Sequence, residues 1–66
     1  MAITNRIKEI RTERKMLQED LAKATGSCSR TIGRIERGER NPSLEMALRI
    51  SGALGLPMEE VFYVED

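Results

Sequence analysis

The sequence predicts a small all-α domain, and three observations carry that expectation. Ile3, Ile7 and Ile10, then Leu21 and Ala22, then Ile32 and Ile35, recur at the spacing of helix faces. Glycine or proline stands where those stretches break, at Gly26, Gly38, Pro42, Gly55 and Pro57. Residues 18–37, QEDLAKATGSCSRTIGRIER, read as two short helices joined by a tight glycine turn. The chain has 66 residues, room for one domain over 1–66 with a tail at about 63–66, and a core near the size at which independent folding becomes marginal.

The first helix is expected from Thr4 to about Lys15, with Ile3, Ile7 and Ile10 inward and Thr4 or Asn5 as its cap. Lys8 and Lys15 on its other faces read as solvated surface. Lys15-Met16-Leu17 is a connector. Leu17 offers no side-chain oxygen to the start of the second helix, which forgoes roughly 1 kcal/mol of capping. Glu19 and Asp20 offset part of that loss by opposing the helix dipole. Met16 and Leu21 can form a hydrophobic staple across the same helix start. At the turn, Gly26 is expected at positive φ, which glycine adopts cheaply.

The following helix is the informative one. At about 100° per residue, Ile32 and Ile35 fall on one side of Ser29–Arg37, and Arg30, Gly33, Arg34 and Arg37 on the other. Glu36 lies towards the core-facing edge, so the outward strip carries no acid. A helix anchored by isoleucines and presenting guanidiniums suits the major groove of DNA. Gly33 costs about 1 kcal/mol of helix propensity relative to alanine. Its missing side chain is expected to let the helix lie close against the groove. Gly38 and Pro42 end this helix, and Ser43 caps a fourth with Leu44, Ala47, Leu48 and Leu54 inward. Pro57 starts a short fifth helix from which Val61 and Phe62 pack inward. Met46 and Met58 read as core filler.

The formal charge is zero, but its distribution is uneven. Residues 1–40 hold ten Lys/Arg against six Asp/Glu, and residues 41–66 hold one against five, so the halves carry +4 and −4. That predicts one basic face and one acidic end. A single cysteine cannot form an internal disulfide, and with no histidine the usual structural zinc sites are excluded, so neither metal nor cofactor is expected. There is no membrane-length apolar run and no signal-peptide core, so a cytoplasmic protein without membrane contact is expected.

Gln18, Leu21, Ala22, Gly26, Ile32, Ile35 and Glu36, with the run IERGERNPSLEMALRI, resemble the Cro/repressor (Xre-type, lambda-repressor-like) helix-turn-helix family in register from about Ile7 to Phe62. The resemblance implies five helices, with the helix-turn-helix formed by the second and third. It also implies bacterial or phage origin and binding of double-stranded operator DNA, usually as a homodimer. By the same resemblance Ser29, Arg30 and Arg34 fall at base-contacting positions. Arginine there can address the O6 and N7 of guanine, although Arg30 and Arg34 could instead bind phosphate without sequence choice.

Gln18 matches a glutamine that touches a backbone phosphate. Thr31, Arg37, Arg40, Asn41 and Ser43 are further candidates for backbone contacts. Arg11 matches an arginine that pairs with the glutamate at the end of the recognition helix, here Glu36. Two positions depart from the family pattern: Ser27 stands where a branched apolar residue is usual, and Cys28 where the recognition helix is normally capped by Ser or Thr. One reading has the two exchanging roles, with Ser27 capping and Cys28 turned to the core; another keeps Cys28 at the DNA backbone, where a redox-sensing thiol is the sharper idea.

The function implied is that of a sequence-specific transcriptional regulator, most simply a repressor. Leu56, Met58, Tyr63 and Val64 are candidates for a dimer interface at the acidic end. The alternatives are an antitoxin-like or sigma-contacting module with a protein partner, or the controller protein of a restriction-modification operon. The sequence offers no histidine, no glycine-rich phosphate loop and no nucleophile–base pair, and Glu59 and Glu60 point to different helix faces, so catalysis is not expected.

Overall fold

The computed structural model describes residues 2–66. In chain order the elements are β1 (Ala2–Asn5), α1 (Ile7–Glu13), α2 (Gln18–Thr25), α3 (Ser29–Glu36), α4 (Leu44–Leu54), α5 (Met58–Val61) and β2 (Phe62–Glu65). The five expected helices form, and their inward side chains make one core of Ile7, Ile10, Leu21, Ala22, Ile32, Ile35, Ile50, Leu54 and Val61. Fully burying an isoleucine or leucine contributes about 1.5–3 kcal/mol, so these few side chains account for most of the favourable burial. Met16, Met46, Leu56 and Phe62 pack against them from the edges.

The chain ends depart from the all-helical expectation. The stretch read as the start of the first helix and the stretch read as a tail pair as antiparallel strands, with Ile3 opposite Val64 and Asn5 opposite Phe62. Ile3, Thr4, Tyr63 and Val64 are β-branched or aromatic, residue types that favour an extended chain once a partner strand is at hand. Ile3 is therefore on the surface and not in the core. The ribbon is tied to the helices by Arg6 N–H donating to the Val61 carbonyl at 2.9 Å. The Arg6 guanidinium also lies 5.0 Å from the centroid of the Tyr63 ring. Asn5 does the capping that the sequence suggests, but from the end of a strand: its Oδ1 accepts from Ile7 N–H at 3.1 Å.

Helix α1 is also shorter than expected at its other end. It stops at Glu13, and Lys15 takes a left-handed backbone with φ 57°. In α4 the inward face is Ala47, Ile50, Ser51 and Leu54. Leu44 and Leu48, expected inward, are 68% and 54% exposed. Leu44 stands three residues before Ala47 and Leu48 three before Ser51, so helical spacing alone admits them. Val61 of α5 joins Ile50 and Leu54 in the core. Ser43 caps α4 as expected, accepting from Met46 N–H at 3.1 Å.

Ser51 is nearly inaccessible, and its hydroxyl has no hydrogen-bond partner among the described residues. Desolvating a hydroxyl without a partner costs free energy, and alanine is the better helix former. Ser51→Ala should therefore leave thermal stability unchanged or raise it by up to about 1 kcal/mol, some 4–8 °C in Tm for a domain of this size. A loss of stability in a calorimetric melt would show that the hydroxyl has a partner after all.

Candidate nucleic-acid interface

The turn between α2 and α3 is built on Gly26, whose backbone is left-handed at φ 71°. Thr25, immediately before it, is buried and returns its hydroxyl to the Leu21 carbonyl at 2.9 Å, which closes α2 without an exposed polar end. Ile32 and Ile35 then fix α3 by its inner face, at 0% and 1% exposure. On its outer face Ser29 and Arg30 are exposed and Arg34 is half-buried. Among the described residues no carboxylate lies within ion-pair distance of Arg30, Arg34 or Arg40. These guanidiniums are available to an anionic or acceptor-rich surface.

The orientation of α3 is set by a buried charged network. Arg11 Nε donates to Glu36 Oε2 at 2.8 Å and its terminal nitrogen to Oε1 at 3.2 Å. The other terminal nitrogen of Arg11 donates to the Met16 carbonyl at 2.8 Å. Gln18 Nε2 donates to Glu36 Oε1 at 3.0 Å, so α1, the connector, the start of α2 and the end of α3 meet at one carboxylate. Asn5 adds a further tie, its Nδ2 donating to the Ile35 carbonyl at 3.0 Å. Nothing in the local pattern around Asn5 marks that long-range contact.

Gly33 is buried, contrary to the expectation that it opens the helix to the groove. A Cβ there would stand 3.1 Å from Arg37 Nη1 and 3.3 Å from Gln18 Nε2. The glycine is the floor on which those two side chains lie. Cys28 is not turned to the core either: it is exposed and occupies the first position before α3 with an extended backbone. Ser27 makes no capping bond. The Cys28 Sγ lies 3.3 Å from Thr31 Oγ1. Hydrogen bonds from Thr31, aided by the charge of Arg30, hold the thiol below its ordinary range.

The remaining candidates are exposed at the end of α3 and in the loop after it. Arg37 pairs with Glu39, Nε to Oε2 at 2.7 Å, a partner the sequence reading passed over. Arg40 and Asn41 are exposed, and the Ser43 hydroxyl, engaged as a cap, keeps its proton to donate. Of the proposed interface residues, Met58, Tyr63 and Val64 meet around an apolar groove of about 450 Å³, joined by Ile3 and Leu44. Leu56 is packed against the core and does not line it. No helix among the described residues is long and apolar enough to cross a membrane.

A braced second helix, a left-handed glycine and a third helix with free guanidiniums are the parts of a DNA-reading helix-turn-helix. A helix-turn-helix family profile matches residues 7–61, and the chain belongs to that family of DNA-binding transcriptional regulators. It is 40% identical over 62 residues to an uncharacterized HTH-type transcriptional regulator of Methanocaldococcus jannaschii, covering 94% of each chain. Among solved structures it resembles the restriction-modification controller protein C.AhdI from Aeromonas hydrophila, with a TM-score of 0.80 and 38% identity over 83% of each chain. It also resembles the P22 c2 repressor in complex with a synthetic operator, with a TM-score of 0.79 and 33% identity over 82% of each chain.

Removing one partner of a buried ion pair leaves the other charge without compensation. The Arg11 and Glu36 side chains are 11% and 3% exposed, so Glu36→Gln should cost on the order of 3 kcal/mol in urea unfolding. The double change Arg11→Met, Glu36→Leu should recover much of that. If Glu36→Gln unfolds at the wild-type urea concentration, the carboxylate does not brace α3.

Proposed function

We propose that this protein is a sequence-specific double-stranded DNA-binding transcriptional regulator, a repressor that inserts α3 into the major groove of a palindromic operator as a homodimer. The observation that carries the reading is the outer face of α3, where Arg30 and Arg34 stand free while Ile32 and Ile35 hold the helix from behind. Ser29, Arg30 and Arg34 read base edges. Gln18, Cys28, Thr31, Arg37, Arg40, Asn41 and Ser43 border them as candidates for sugar-phosphate contacts, which set register without reading sequence.

The homodimer is supported by the apolar groove shared by the two strands, α4 and α5. Ile3, Leu44 and Val64 are large apolar side chains left more than half exposed around it. Two copies would set their α3 helices about one turn of DNA, ~34 Å, apart. Val64→Asp should then halve the mass seen in sedimentation and loosen operator binding while leaving the fold intact. An unchanged mass would remove this face from the dimer. The likeness to a restriction-modification controller supports a second reading, in which the same groove contacts serve activation as well as repression. A neighbouring restriction-modification operon would decide for it.

Sequence selection from a random duplex pool, followed by binding titrations, tests the main reading. Arg34→Ala should cost about 1–3 kcal/mol on the selected site and relax one base preference. Arg40→Ala should weaken all sequences alike and lower the salt slope by about one. Undiminished binding of Arg34→Ala to the selected site would take α3 out of the groove.

A further inference from the structure

Arg37 lies seven residues after Arg30 and three after Arg34, so it shares their strip of α3. Its side chain is more than half exposed, yet its guanidinium end lies against the helix. The guanidinium folds back over Gly33 beside Gln18, where a Cβ would leave Nη1 only 3.1 Å away. Glu39 holds it there from the other side. The Glu39 backbone N–H donates to the Arg34 carbonyl at 2.9 Å, which fixes the residue at the last turn of α3. Its carboxylate takes Arg37 Nε at 2.7 Å. Among the described residues the two terminal nitrogens of Arg37 make no hydrogen bond. The Glu39 carboxylate is held below its usual range, first by its hydrogen bond and charge contact with Arg37 and then by the charge of Arg34.

An arginine whose Nε is occupied keeps one bidentate geometry, end-on through both terminal nitrogens. Two surfaces of DNA could accept it. A phosphate carries a full negative charge and is repelled by the carboxylate beside it. A guanine edge is neutral and offers O6 and N7 at the spacing of the fork. The pairing therefore favours the base and disfavours the backbone.

We propose that Arg37 reads a guanine in the operator and that Glu39 is its positioning residue, fixing the fork over Gly33 and keeping the charge of Arg37 from binding phosphate indiscriminately. The proposal rests on the DNA-reading role of α3. It changes Arg37 from a backbone contact to a specificity determinant and gives Glu39 a function.

The test compares wild type, Arg37→Ala and Glu39→Gln on the duplex selected by wild type and on a scrambled duplex, at two salt concentrations. Both substituted side chains are more than half exposed, and matched thermal melts confirm an intact fold. Arg37→Ala should select sites with one guanine preference lost and an unchanged salt slope. Glu39→Gln should raise Kd on the selected duplex about fivefold or more and lower Kd on the scrambled one, with a salt slope steeper by about one as Arg37 turns to phosphate. Glu39→Gln tightening both duplexes alike would overturn the positioning role. Arg37→Ala keeping every base preference while losing about one from the salt slope would return Arg37 to the backbone. Either result leaves the DNA-reading role of α3 standing, whereas a wild-type protein that selects no sequence would remove both.

Discussion

The contact between Glu36 and Arg11 is the constraint on which the recognition surface depends. A helix of eight residues is too short to persist by itself, so α3 holds its place only through what it packs against. Ile32 and Ile35 supply adhesion, but apolar contact is non-directional and tolerates rotation of the helix about its own axis. The carboxylate of Glu36 does not. It must meet Nε and a terminal nitrogen of Arg11 while accepting from Gln18, and Arg11 must at the same time reach the Met16 carbonyl. A turn of α3 by one residue would break all of these and leave buried charge without a partner. A pair of leucines could match the net stability, since desolvating two charges takes back much of their attraction. It could not fix the angle at which Arg30 and Arg34 leave the helix.

Charge is then sorted by position along the chain. The first forty residues carry the excess of cations, and three of those guanidiniums remain unpaired around α3 and the loop after it. The last twenty-six residues carry the excess of acids, and they build α4, α5 and β2. The apolar groove is formed there, closed by β1 returning from the other end of the chain. A neutral total thus conceals a surface with free guanidiniums and another with exposed apolar side chains. Glu39 is the exception within the basic half, and its placement against Arg37 makes that exception local and not a general weakening of the field.

Much of the local structure around the candidate interface is legible because its residues act locally or as a register. Gly26, Ser43 and the Ile32/Ile35 pair each announce a backbone or burial requirement within a few positions. The partnership of Arg11 with Glu36 spans twenty-five residues and followed only from family resemblance. Features that depend on meeting a distant segment were not legible. Ile3 continues the helical spacing of Ile7 and Ile10, yet Ala2–Asn5 becomes a strand because β2 arrives beside it. Leu44 and Leu48 stand three residues before Ala47 and Ser51, so helical spacing admits them, yet the buried face of α4 is Ala47, Ile50, Ser51 and Leu54. The side-chain chemistry of Cys28 admits either a place in the core or one at the surface. The extended backbone required just before α3 places it outside.

At Gly33 the helix gives up some of its own stability where two side chains lie over it. Alanine would favour the helix by about 1 kcal/mol, a substantial share for so small a core. A methyl group there, however, would press on the Arg37 guanidinium and the Gln18 amide, the two groups that cover this point of the surface. Both would have to give by a few tenths of an ångström, and for Gln18 that movement strains its hydrogen bond to Glu36. The glycine therefore keeps one side chain against the brace and another over the outer face of α3. Lost helix propensity is set against an arrangement in which the brace of α3 and the guanidinium of Arg37 meet at a single position.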